Sequence, residues 1–218
     1  MEYTLERSRR KTVSVIVRDG KVTVRAPLRT PLAFIENFLR KKSDWIADKL
    51  AVGRRAAAAL GDVLDGRYAM YRGRKFPVCR TDGGRTQVRQ GTLYIPDGTP
   101  EQVSARRKNF YRREAKVYLG ARLEQIARAM GVTYTAFALT NAKSLWGSCT
   151  ADGTIRLHTR LIMLDDALID YVIVHELCHR RALNHSAEFW ALVGNVIPDW
   201  KARRAALKDY SVLLRSPY

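Results

Sequence analysis

DYVIVHELCHRRALNHSAEFW, residues 170–190, places three of the chain's four histidines within eleven positions. At its centre, His175-Glu176-Leu177-Cys178-His179 spells H-E-x-x-H. The apolar run Tyr171–Val174 and the spacing of four predict a helix with His175 and His179 one turn apart on one face. Two imidazoles so placed can chelate one Zn2+ ion at roughly 2.0–2.1 Å each. Glu176 projects about 100° away around the helix. It can reach the metal's fourth position without being a ligand, which is where a general base belongs. His185, six residues past His179, is the expected third ligand. Asn184 suits the left-handed turn that reverses a chain after a helix, and Ser186 suits the cap of the next helix. Glu188 is the rival third ligand. His185 is preferred, because neutral imidazole suits zinc and the alternative leaves His185 without a role. Three histidines and one open position describe a catalytic site.

The helix is predicted over about Asp166 to Ala182. Its apolar run implies burial on most sides, and a glutamate there needs a partner, of which a metal is the simplest. Tyr171 reads either as a hydrogen-bonding group near the metal or as a core tyrosine. Asp170 reads as a group that orients a ligand, or as a cap or solvent-facing carboxylate. Cys178 lies one step off the ligand face and reads as a small core residue.

Outward from this segment the chain reads as α+β. VSVIVRDGKVTVRAP alternates around Asp19-Gly20 as a hairpin does. Thr30-Pro31 offers an N-cap and a first-turn proline to a helical segment with Leu32, Ile35, Leu39, Trp45, Ile46 and Leu50 on its apolar face. Further hairpins are expected at Gly73 and at Gln90-Gly91. A long helix from Thr99-Pro100 to Met130 closes on Gly131. Strands are expected in TYTAFAL and GTIRLHT, and helices over about Ala187–Val196 and after Pro198. No repeat or linker interrupts the chain. It reads as one domain, 1–218, with a hairpin-rich basic part over about 1–98 and a catalytic core over about 99–210.

Lys and Arg total 39 against 21 Asp and Glu, a formal net charge of +18, and residues 1–130 hold +16 of it. So lopsided a surface fits a polyanion, either nucleic acid or a nucleotide, alongside the reading of a merely solvated face. The helix carrying Arg106, Arg107, Lys108, Arg112, Arg113 and Lys116 is the first place to look for phosphate contacts. Three scattered cysteines exclude a disulfide framework and a Cys-only zinc site. The charged opening MEYTLERSRR is unlike a secretory signal, and no apolar run is long enough to span a bilayer. A cytoplasmic protein with no membrane partner is expected.

Trp146-Gly147-Ser148-Cys149, the strand near Ile155 and Leu157, the Asp170-Tyr171-Val172 run-in, the H-E-x-x-H pair and Asn184-His185-Ser186 with Phe189-Trp190 together resemble the YgjP-like metallopeptidases. These are zincins related to the SprT-like and WLM groups. The opening is similar too, with a basic strand over Arg7–Lys11, a hairpin, and a helix ending in Ser43-Asp44-Trp45-Ile46. The resemblance implies a zincin core in which the H-E-x-x-H helix packs on a small sheet. It also implies one zinc per chain on His175, His179 and His185, with Glu176 as base in peptide hydrolysis. The strand Thr154–Leu157 is expected to accept an extended peptide by edge addition. WGSC is read as a tight turn that packs Trp146, with a contact of Cys149 with the site as the alternative. His158 departs from the family, which commonly carries a small polar residue such as Asn there. It is read as solvent-facing, with a substrate contact as the alternative. Fold does not fix substrate, so a nucleotide phosphoanhydride hydrolase and a nucleic-acid-associated protease of SprT-like type stand as rival readings.

Overall fold

The structure is a computed structural model and describes residues 2–18 and 20–216. Chain contacts divide it into two compact units, Met1–Leu60 and Gly61–Tyr218. The division falls ahead of the junction expected near residue 98. The hairpins of residues 68–96 pair among themselves and pack on the long helix that follows them.

In the first unit, strands β1 (Thr4–Ser8), β2 (Ser14–Arg18) and β3 (Lys21–Pro27) form a sheet in the order β1-β3-β2. β2 and β3 pair antiparallel with Arg18 opposite Lys21, as the expected hairpin requires. Asp19 itself lies outside the described residues. β1 runs parallel to β3, earlier in the chain than the basic strand read at Arg7–Lys11. Alternation along β3 sends Val22, Val24 and Ala26 to one face. There they meet Ile35 and Leu39 of α1 (Leu32–Lys41) and Ile46 of α2 (Ser43–Leu64). Pro31, not Thr30, is the N-cap of α1. Leu32 and Trp45, read as apolar-face residues, are exposed.

In the second unit, β4 (Tyr68–Tyr71), β5 (Arg74–Thr81), β6 (Gln87–Arg89) and β7 (Thr92–Pro96) form a sheet in the order β4-β5-β7-β6. Arg72-Gly73 and Gln90-Gly91 turn its hairpins with positive φ at every position, the type I′ geometry. Gly73 is also pressed on its neighbour, since an added Cβ would lie 2.8 Å from Asp165 Cβ. Helix α3 (Pro100–Met130) starts on a Thr99–Gln102 capping box and ends on Gly131.

Helix α4 (Asp166–Cys178) carries the histidine motif, and it packs against α3, α5 (Ala187–Val196), α6 (Trp200–Asp209), β9 (Gly147–Cys149) and β10 (Thr154–His158). It is therefore apolar all round, as a helix enclosed on most sides must be. Its register is pinned at the N-terminus. Asp165 caps it by accepting from Leu168 N–H at 2.8 Å. The amides of Arg72 and Gly73 bond to the carbonyls of Ile162 and Met163 just upstream. Asp166 accepts from Arg72 and Tyr118, and Asp170 accepts a two-pronged bond from Arg122 at 2.7 and 2.6 Å.

A third sheet has the order β8-β10-β9, with β8 (Ala136–Thr140) parallel and β9 antiparallel to β10. Two expectations change here. Residues 147–149 of WGSC form a strand instead of a turn, because Trp146 and Thr150 bond across to His158 and Thr154. The strand Thr154–Leu157 is central, so its edges are spent on neighbours, and β8 and β9 are the edge strands. Among the described residues, no helix is long and apolar enough to cross a membrane.

His158 is 1% exposed, which overturns its solvent-facing reading. Its Nδ1 accepts from Arg160 N–H at 3.0 Å and caps the 3-10 turn Thr159–Met163, while its ring meets Trp146 edge-on. Burial, with the nearby Arg160 charge, pushes its pKa down to about 4. The unfolded chain, with an ordinary value near 6.5, therefore binds the extra proton between these limits. Stability is full above pH 6.5 and is lost as pH falls toward 4, by about 3 kcal/mol for this group. In denaturant titrations at pH 7 and pH 4, His158→Asn should lose less stability than the wild type by about that amount. Equal losses would show that His158 is not a neutral buried group.

Candidate active site

The last turn of α4 and the loop after it bring His175, His179 and His185 together. Helix α4 ends at Cys178, about a turn earlier than the sequence predicts, and His179 is its C-cap. The amides of Arg180 and Arg181 bond three residues back, tightening the final turn. The chain then reverses through residues 182–185, and Ser186 caps α5 by accepting from Phe189 N–H.

Among the described residues these three histidines form a group whose ligand atoms all lie within 4.8 Å of one another. His175 Nε2 and His185 Nε2 are 3.0 Å apart. Two nitrogens bound tetrahedrally to zinc at roughly 2.0–2.1 Å would stand about 3.3 Å apart, so the spacing fits a shared ion. The His179 Nδ1–H group donates to the Ala182 carbonyl at 3.1 Å, which leaves Nε2 as the free lone pair. Burial, reinforced by the neighbouring imidazoles and Arg204, depresses the His175 pKa to about 3. Burial likewise lowers the His179 pKa, so both of these histidines favour neutral imidazole, the form a metal takes. Glu188, the rival ligand, is exposed and stands outside this group.

Aromatic rings hold the imidazoles in place. Phe189, fully buried, sits with its ring centroid 4.9, 4.5 and 4.8 Å from those of His175, His179 and His185. Trp190 stacks on His185 at 5.6 Å and on Trp200 at 4.2 Å.

Glu176 is 6% exposed and lines the same cavity of about 670 Å3 as the three histidines. Burial pushes its pKa up to about 8, opposed by a hydrogen bond from the Cys149 backbone N–H. Gly147 admits the carboxylate, because a Cβ there would lie 2.8 Å from Glu176 Cγ and Oε1. Thr150 N–H donates to Thr154 O and His158 N–H to Trp146 O, so even-numbered residues of this strand face β10. The amides of Gly147 and Cys149 consequently turn toward the free edge of β9. That edge borders the cavity.

The remaining residues singled out from sequence divide clearly. Tyr171 is buried, lines the cavity and lies 6.0 Å from His175 between ring centroids. Trp146 is buried and lines it too. Asp170 faces α3 through Arg122 and orients no histidine. His158 is a capping group, as described above. Cys178 is core, and Cys149 lines the cavity. Sequence reasoning missed the close approach of Gly147, the Phe189–Trp190–Trp200 support and Arg204. The dense aromatics of 189–200 were a visible signal for the second of these. The first depended on strand pairing that no local pattern announces.

Three of the four arginines read as phosphate contacts are engaged elsewhere. Arg106 donates to the carbonyls of Pro96 and Asp97, buried Arg107 to Gly66, and Arg113 to Thr86 and Glu114. Of the six basic residues singled out on this helix, Lys108, Arg112 and Lys116 are exposed.

Comparison with known proteins bears on the same residues. Two solved structures share local similarity. A metallopeptidase zymogen of Pyrococcus abyssi, abylysin, is 24% identical over 45% of this chain and 97% of its own, with a TM-score of 0.40. A metallopeptidase zymogen of Methanocaldococcus jannaschii, jannalysin, is 21% identical over 44% and 96%, with a TM-score of 0.37. No curated protein matches the sequence significantly. The family model for the YgjP-like metallopeptidase domain matches residues 11–210, which include every residue of the histidine group and the cavity's glutamate. The chain therefore belongs to the YgjP-like metallopeptidase family and is a hydrolase of the peptidase kind.

Proposed function

We propose that the chain, acting as one metallopeptidase domain, is a zinc-dependent peptidase in which His175, His179 and His185 hold one ion and Glu176 is the general base. The observation that carries this reading is the convergence of three imidazole nitrogens beside a buried carboxylate in one cavity. Zinc, when bound, supplies Lewis acidity that activates water and polarises a carbonyl.

The chain's own residues do the rest. Glu176 accepts the proton of the attacking water and later delivers it to the leaving amine. The Cys149 N–H group holds the carboxylate, and Gly147 gives it room. The Ala182 carbonyl fixes the tautomer of His179. Phe189 and Trp190 orient the imidazoles and exclude water behind them. The free edge of β9 offers backbone groups to which an extended peptide can add as a strand, with little demand on its side chains. Peptides or proteins are therefore the substrates. Arg106, Arg107 and Arg113, which would favour a nucleotide, are bonded to backbone carbonyls, and this counts for the peptide reading.

Metal analysis of purified protein should find about one zinc per chain. His185→Ala should lose most of it, and Glu188→Ala should keep it. The reverse pattern would move the third ligand to Glu188.

Glu176→Gln should retain zinc while casein cleavage falls by roughly 10²–10⁴-fold, the usual weight of a positioned acid–base group. Near-normal turnover would remove Glu176 from the mechanism.

In Gly147→Ala the added methyl must displace the Glu176 carboxylate. Zinc content should be unchanged while turnover drops by roughly 10²-fold, as expected for a misplacement near 1 Å. Unchanged turnover would mean that the carboxylate needs no such cradle.

A further inference from the structure

Helix α6 lines the cavity with two cations one turn apart, Arg204 and Lys208. Both are exposed. The residue before, Arg203, is engaged by Asp199 and the Ala167 carbonyl. Arg204 differs. Among the described residues its guanidinium makes no hydrogen bond or ion pair and lies over the Trp190 ring, 4.8 Å from the centroid. Trp190 in turn stacks on Trp200 at 4.2 Å and 12°. The guanidinium thus rests on a rigid double platform with its N–H groups unspent.

The cavity's charge balance is one-sided. Glu176 is its single acidic residue, and it is buried against Gly147 and the Cys149 amide. The same platform reaches the histidine group through the stacking of Trp190 on His185, so Arg204 is held in a fixed relation to it. A planar fork beside a mobile ammonium suits an anion. In an unmodified peptide that anion is a carboxylate.

We propose that Arg204 and Lys208 are specificity-determining residues that select peptides with a carboxylate beside the scissile bond. That carboxylate is an Asp or Glu side chain or the substrate's own C-terminus. The inference rests on the peptidase reading and names its substrate class.

Two measurements test it. The first compares quenched fluorescent peptides that carry Asp, Asn or Lys next to the scissile bond, each with a free or an amidated C-terminus. On the zinc-loaded wild type, kcat/KM should favour Asp over Asn, or the free over the amidated end, on the order of tenfold and mainly through KM. Whichever pair separates identifies the source of the carboxylate. R204E/K208E should invert the preference toward Lys, an outcome that a purely structural role would not produce. No charge preference in the wild type, or a double variant that slows every peptide alike, overturns the proposal. The second measurement does not need turnover. Titration with N-acetyl-aspartate amide should quench tryptophan emission from the Trp190–Trp200 stack more than N-acetyl-asparagine amide does, and R204E/K208E should abolish the difference. A difference that persists in the double variant places the anion on the metal and overturns the proposal. Peptides cleaved without charge preference would sink the selectivity and leave the peptidase standing. Charge-selective binding with no peptide cleaved would do the opposite.

Discussion

Glu176 is buried and its neighbour His175 half-buried on one helix, and each would be costly to desolvate as a charge without a compensating partner. The cost is met locally by different means. His175 is held neutral against Phe189 and its fellow imidazoles, where a lone pair is tolerable and a charge is not. Glu176 takes an amide from β9 and needs that strand to approach without a side chain, which is why a glycine stands at 147. A slip of one residue in α4 would put an aliphatic residue in the cavity and the carboxylate in the core. The pins at the other end of the helix prevent this. Asp165 caps its first turn, Asp166 ties that turn to the β4–β5 turn and to α3, and Asp170 ties the next turn to α3.

The aromatic residues of α5 and α6 answer a different problem. Three imidazoles can converge only if the loop carrying His185 is held against the helix carrying the other two. Phe189 touches all three rings, and burying it contributes roughly 2–3 kcal/mol toward keeping the loop in place. The Trp190–Trp200 stack extends this support from α5 to α6. The histidine group and the cationic wall of the cavity therefore share one set of rings.

Local patterns carried much of this into view. Hairpins turning at Gly73 and Gly91, the capped α3 and the H-E-x-x-H helix each depend on residues within a few positions of one another. Those elements stand where periodicity and turn chemistry put them. What escaped was non-local. The reading of WGSC as a turn weighed Gly and Ser by their own preferences. Pairing with β10, decided by residues 154–158, overrode those preferences. Asp170 and His158 were legible as polar residues beside important ones, but their partners, Arg122 and the Arg160 amide, come from another helix and from the next turn. Helix α4 ran long in the reading because nothing in Arg180-Arg181-Ala182 forbids another turn. It ends where the His179 side chain takes the Ala182 carbonyl.

The charge shows why a composition must be resolved residue by residue before it bears on recognition. Seen as a total, +18 calls for a polyanion. Seen in place, much of it is spent. Arg7 gathers the carbonyls of Pro27, Leu28 and Thr30 at the exit of β3, and Arg106, Arg107 and Arg113 do similar work around α3. A guanidinium used this way satisfies carbonyls that would otherwise need water, and the N–H groups so directed are not free for a ligand. Arg204 belongs to the least basic third of the sequence, residues 131–218, which carry +2 of the total. It is nevertheless the arginine that faces the cavity with its N–H groups unspent. Recognition follows from that combination of location and unspent capacity, and the density of basic residues along the chain does not reveal it.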